Sequence, residues 1–150
     1  MQKATIRLRD RALGYLARRE YSRQELYRKL VPYAEQEDLD TLLDEFWQRG
    51  WLSDARYTEQ MIHARRGKYG SLKLAHELRS RGVAEELVNK AVDELRQDEG
   101  ATARALWRKK FGAPPTTREE WTKQARYLQS RGFGSDLIRQ VLRGDPDQDN

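Results

Sequence analysis

A chain of 150 residues with no cysteine is long enough to bury a core but offers no disulfide framework and no thiolate chemistry, and a reducing cytoplasm is its expected setting. Its apolar share (37%) is low and its charged share (35%) high, which suits a thin helical body; four tryptophans and regular apolar spacing argue against disorder. The N-terminal residues carry charges where a signal peptide would need an apolar stretch, so none is expected, and no apolar run approaches the length of a membrane span.

The first predicted helix, 5–19, has an apolar stripe of Ile6, Leu13, Leu16 and Ala17. The second, 22–31, opens on Ser22 with Glu25 at capping-box spacing and stops at Pro32. The third, 36–49, aligns Leu39, Leu42, Leu43, Phe46 and Trp47 and ends at Arg49-Gly50. Ser53 is the expected N-cap of the fourth, 54–67, with Tyr57, Met61 and Ala64 on one face. Ser71 is the expected N-cap of the fifth, 71–81, which ends at Arg81-Gly82. The sixth, 84–96, aligns Leu87, Val88, Ala91, Val92 and Leu95. A seventh over 99–112 runs into a loop marked by Pro114-Pro115. The eighth, 117–131, has Thr117 and Glu120 at capping-box spacing, a stripe of Trp121, Ala125 and Leu128, and a stop at Arg131-Gly132. The ninth, 134–143, aligns Leu137, Ile138, Val141 and Leu142. Trp47 and Trp121, lying on apolar stripes, are expected in the core. Residues 145–150 are expected to form a disordered acidic tail.

The chain also repeats itself. Lys73, Ala75, Leu78, Ser80, Arg81, Gly82 and Leu87 recur fifty residues later as Lys123, Ala125, Leu128, Ser130, Arg131, Gly132 and Leu137. A fainter echo at forty-eight relates Arg18, Tyr21, Leu26 and Leu30 to Arg66, Tyr69, Leu74 and Leu78. Nine helices in three groups of three, at a period near fifty, predict an all-α protein of stacked units. The expected division is one helical-repeat domain over 1–144 with units near 5–50, 53–96 and 98–143. Such stacking favours an extended surface that binds a long object.

Charge follows the same grouping. Residues 1–31 hold nine basic against three acidic residues, whereas 33–60 hold two against eight; 61–82 and 101–144 are again strongly basic. The basic clusters are Arg18-Arg19, Arg28-Lys29, Arg65-Arg66 with Lys68, Arg79 with Arg81, Arg108-Lys109-Lys110, and Arg126 with Arg131. Any one of them is accounted for as a solvated helix face. Recurrence in every unit points instead to a surface facing a polyanion or an acidic protein. No helix presents a run of base-reading side chains, so contact with nucleic acid is expected to be weak and indifferent to sequence.

Signals for catalysis are missing. His63 and His76 fall on different predicted helices without a metal-binding motif, and Asp40 and Asp44 sit on an acidic face with no matching carboxylate pair. There is no glycine-rich nucleotide cradle. The expectation is a protein without catalytic residues, metal or cofactor.

Three segments resemble the RecX family of recombinase regulators. Ala12, Tyr15, Leu16, Arg18, Arg19, Ser22, Glu25 and Leu26 fit its opening pattern in register. Gly50, Trp51, Leu52, Asp54, Arg56 and Tyr57 match its central signature, and Glu77, Leu78, Arg81, Gly82 and Val83 the string after it. Three departures stand out: Trp51 replaces a smaller aromatic, Thr58 stands where alanine is common, and Val31-Pro32-Tyr33 replaces a basic-glycine break. The resemblance implies three tandem three-helix repeats in an elongated, curved array that binds RecA filaments. It further implies that the protein modulates, mainly by inhibition, filament extension, ATP hydrolysis, strand exchange and SOS coprotease activity. A monomer that touches single-stranded DNA weakly is expected. The rival expectation is a stand-alone, sequence-nonspecific DNA-binding protein.

Overall fold

The computed structural model describes residues 6–35 and 38–144, all of whose regular structure is helical. The expected acidic tail lies outside the described residues. The helices are α1 (Leu8–Arg18), α2 (Arg23–Leu30), α3 (Leu39–Gln48), α4 (Asp54–Arg65), α5 (Ser71–Ser80), α6 (Glu85–Arg96), α7 (Glu99–Lys110), α8 (Arg118–Ser130) and α9 (Ser135–Arg143). They form three groups of three, as the repeat predicts.

Each group has its own apolar centre. Leu26, Leu30, Leu43, Phe46 and Leu52 fill the first, Leu74, Leu78, Val88 and Ala91 the second, and Ala103, Leu128, Phe133 and Ile138 the third. A fully buried leucine or phenylalanine contributes roughly 1.5–3 kcal/mol, so these three clusters hold the units together.

Helix ends follow from local chemistry. Gly50, Gly82 and Gly132 all take positive φ, at 77°, 75° and 95°. After each, the next amide returns to a carbonyl in the last helical turn: Trp51 to Phe46 at 2.9 Å, Val83 to Leu78 at 3.1 Å and Phe133 to Leu128 at 3.2 Å. These Schellman motifs pair an apolar residue past the glycine with one inside the helix, the contact that usually accompanies them. Trp51 accordingly packs on Phe46 with ring centroids 5.5 Å apart, which is where a large aromatic at this position finds its place. Ser22 and Glu25 form the full capping box, and Ser53 caps α4 by accepting the Arg56 amide. Thr117 accepts the Glu120 amide, but the Glu120 carboxylate reaches one residue further back, to the Thr116 amide at 2.8 Å. At Val31-Pro32-Tyr33 the chain leaves α2 through a 3₁₀ turn, since proline cannot continue the α-helix.

Several expectations need correction. Gly70, not Ser71, is the N-cap of α5; Ser71 is its first helical residue, and its hydroxyl is engaged elsewhere. Trp47 and Trp121 are both 43% exposed. Phe46 takes the inward position at the end of α3, which turns its neighbour Trp47 outward. Trp121 lies in the first turn of α8, ahead of the stretch where Gln124 and Leu128 are covered. In α1 the buried line is Leu8 and Ala12, because the helix starts after Ile6 and so removes that residue from the stripe. Ala64 is exposed, and α4 instead buries Tyr57, Thr58 and Ile62, with Thr58 donating to the Asp54 carbonyl at 2.8 Å.

Candidate functional site

The units meet through two joints built on one plan. The start of the second helix of one unit docks on the turn that ends the second helix of the next. At the first joint the Ser22 hydroxyl, while accepting the Glu25 amide, donates to the Arg81 carbonyl at 2.8 Å. At the second, the Gly70 amide donates to the Arg131 carbonyl at 2.7 Å and the Leu72 amide to the Gly132 carbonyl at 3.1 Å.

A carboxylate completes each joint. The first amide of α2, from Arg23, donates to Asp54 at 2.8 Å; the first amide of α5, from Ser71, donates to Glu99, also at 2.8 Å. Asp54 and Glu99 are themselves the first residues of α4 and α7, so an acid at one helix start satisfies the orphan donor of another. Burial pushes the Asp54 carboxyl above its ordinary range, against the opposing pull of the Arg23 amide and charge. The signature aspartate is therefore a structural residue. Serine or glycine caps forty-eight residues apart, each matched by an acid at the first helix start of the following unit, were the sequence signal for these joints.

The basic candidates separate into two sets. Five are engaged by acids. Arg65 bonds Glu77 at 3.0 Å, Arg79 bonds Glu85 at 2.6 Å, and Arg66 lies 3.7 Å from Asp98 across the second joint. Arg19 and Arg81 share Glu25, the latter across the first joint. Arg56 adds a bond to Glu20 at 2.8 Å across that joint. Asp40 and Asp44 both serve Arg23 and so form an intra-unit ion cluster.

The second set is exposed and has no acidic partner among the described residues: Arg18, Arg28 and Lys29 in the first unit, Lys68 in the second, and Arg108, Lys109, Lys110 and Arg126 in the third. Lys29 stands over the Tyr15 and Tyr21 rings at 4.8 and 5.6 Å, and Lys110 over Tyr127 at 5.0 Å. Arg131 is half-buried between Tyr69 and Tyr127. Every unit thus keeps cations available to an external anion, with tyrosine rings beside some of them.

Among the described residues no group of three or more His, Asp or Glu converges as metal ligands would, and no helix is long and apolar enough to cross a membrane.

Two family models match: the second three-helix domain of RecX over residues 53–92 and its third three-helix domain over 97–142. The chain is 43% identical over 145 residues to the regulatory protein RecX of Ralstonia pickettii (strain 12J), covering 96% of this chain and 91% of that one. It is 46% identical over 143 residues to the regulatory protein RecX of Chromobacterium violaceum, covering 95% and 93%. The crystal structure of RecX from Lactobacillus salivarius shares the fold, with a TM-score of 0.72 over 91% of this chain and 93% of that one at 19% identity. With its three helical units, both matched domains and these full-length similarities, the chain belongs to the RecX family of regulatory proteins.

Proposed function

We propose that this protein is a cytoplasmic, non-catalytic regulator that lies along RecA filaments on single-stranded DNA and restrains their extension and ATP hydrolysis, and with them strand exchange and SOS coprotease activity. The observation that carries this reading is the recurrence of exposed, carboxylate-free cations in all three units of one connected array. An array of this kind reaches further than a compact domain of equal mass and can bridge neighbouring protomers. The ion-paired cations are assigned to structure, Arg66 and Arg81 across the joints and Arg19, Arg65 and Arg79 within their units, and the unpaired set to meeting the filament as a monomer.

The test is RecA's DNA-dependent ATPase titrated with this protein. The rate is expected to fall with added wild type. The double variant Arg108→Glu, Lys109→Glu should keep native helicity and require several-fold more protein for the same effect. A folded double variant that acts like wild type would remove the third unit's cations from the reading. On DNA alone, binding should be weak, indifferent to sequence and lost as salt rises, because counterion release from phosphate dominates it. Affinity for single-stranded DNA that is unchanged by RecA and ATP would favour a stand-alone DNA-binding protein.

A further inference from the structure

The second joint gathers cations from two units around one ring. Around the Tyr69 ring stand Lys73 Nζ at 4.3 Å from the centroid, the Arg131 guanidinium at 5.3 Å and the Arg65 guanidinium at 5.6 Å. Glu77 balances Arg65. Lys73 and Arg131 have no acidic partner among the described residues. They come from different units, Lys73 from the first turn of α5 and Arg131 from the turn after α8, and only the docking of Gly70 on Gly132 brings them together.

The first joint follows the same plan with other residues at several places. Tyr21 corresponds to Tyr69 and Arg81 to Arg131, but the counterpart of Lys73 at the offset of forty-eight is Glu25. Glu25 pairs with both Arg81 and Arg19, so the arginine that crosses the first joint has a carboxylate partner, while Lys29 stands near the same Tyr21 ring without one among the described residues. At the second joint a lysine occupies the place of that acid. Two cations are then held at one ring, whose face offers only part of the negative charge they require.

We infer that the joint between the second and third units is a binding site for the backbone phosphate of single-stranded nucleic acid. The inference rests on the polyanion-facing reading above and names the anion. Lys73 supplies a point charge and Arg131 a planar fork, both suited to phosphate oxygens. Beyond it, Arg131 lies 5.5 Å from the Tyr127 ring, which also has Lys110 at 5.0 Å. Cations and rings alternating in this way match a polymer that alternates charges with π-faces, whereas an isolated acidic side chain would use one pair only.

The test measures binding of a fluorescein-labelled oligothymidylate across a salt series. Lys73→Glu reproduces the arrangement of the first joint, where a carboxylate is accommodated, and should weaken binding roughly tenfold. Lys73→Gln should reduce the slope of log affinity against log salt by about 0.7, the value for one single-strand contact. Lys90→Glu, the same charge change on an exposed site of α6, should stay within about twofold of wild type. Melting curves establish that each variant is folded. If folded Lys73→Glu matches Lys90→Glu, the phosphate assignment is overturned. If it leaves DNA binding intact but weakens binding to preformed RecA filaments, the cluster faces acidic protein; the phosphate assignment is again overturned while the filament reading stands. If DNA binding weakens as expected yet wild type leaves the RecA ATPase unchanged, the phosphate site stands and the filament reading fails.

Discussion

Replacing Gly132 with alanine is expected to destabilise the protein by about 3 kcal/mol, more than any substitution at an exposed glycine. Holding a residue with a Cβ in the left-handed region, here at φ 95°, costs roughly 1–2 kcal/mol. That Cβ would overlap the Cβ of Lys73 and lie 2.8 Å from its amide nitrogen. Backbone cannot give way as a flexible side chain can, so the joint must part. Two amide-to-carbonyl bonds from Gly70 and Leu72 would then weaken, at roughly 0.5–1.5 kcal/mol each. For a chain of this size the melting temperature should fall by roughly 6–12 °C. Gly50→Ala is the control. Its φ of 77° imposes the same backbone cost, but nothing lies within 4 Å of the added carbon, so it should lose no more than about 2 kcal/mol. Equal melting temperatures for the two variants would show that the Gly70–Gly132 approach does not form in solution.

At the first joint the decisive residue is Asp54. Asp54→Ala leaves the Arg23 amide without its acceptor in a half-buried place, an expected loss of about 1–3 kcal/mol. Asp54→Asn keeps an oxygen there and removes the charge that burial penalises, so it should lie close to wild type at neutral pH. The pH dependence separates these effects. A carboxyl whose folded pKa is raised contributes stability that is fully present below its unfolded pKa and is lost as pH rises through the folded value. Denaturant titrations on both sides of the carboxylate range should therefore show wild type losing ground to Asp54→Asn as pH rises. A constant difference between the two would mean that the carboxyl is not buried against α2. The exposed pairs act in the opposite direction. The bond from Arg79 holds Glu85 below its ordinary range, so its contribution is lost as pH falls through the folded pKa.

Residue spacing made the helices, their glycine stops and the three-unit plan legible, because those features depend on local backbone chemistry and on apolar periods within one helix. The fate of individual cations was not legible. Arg66 and Arg81 looked like members of a free basic stripe, yet Asp98 and Glu25 engage them from other units, and charge reversal at either would disturb a joint as well as a surface. Trp47 and Trp121 misled for a related reason: periodicity does not decide which of two adjacent aromatics, Phe46 or Trp47, turns inward, nor how far along α8 the covering neighbours extend. The comparison of Glu25 with Lys73 was present in the repeat all along. It acquired meaning only when the joints placed Glu25 on Arg81 and Lys73 beside Tyr69 with Arg131.

The unequal joints also give the molecule unequal mechanics. The first is fastened by a hydroxyl, a carboxylate on an amide and two ion pairs, Arg81–Glu25 and Arg56–Glu20. The second is fastened partly by main chain on main chain, with two glycines in contact and no side chain between them. Dissolved salt screens the former and leaves amide-to-carbonyl bonds almost untouched. Rising ionic strength is therefore expected to loosen the first joint more than the second, where two main-chain bonds remain when the Arg66–Asp98 pair is screened.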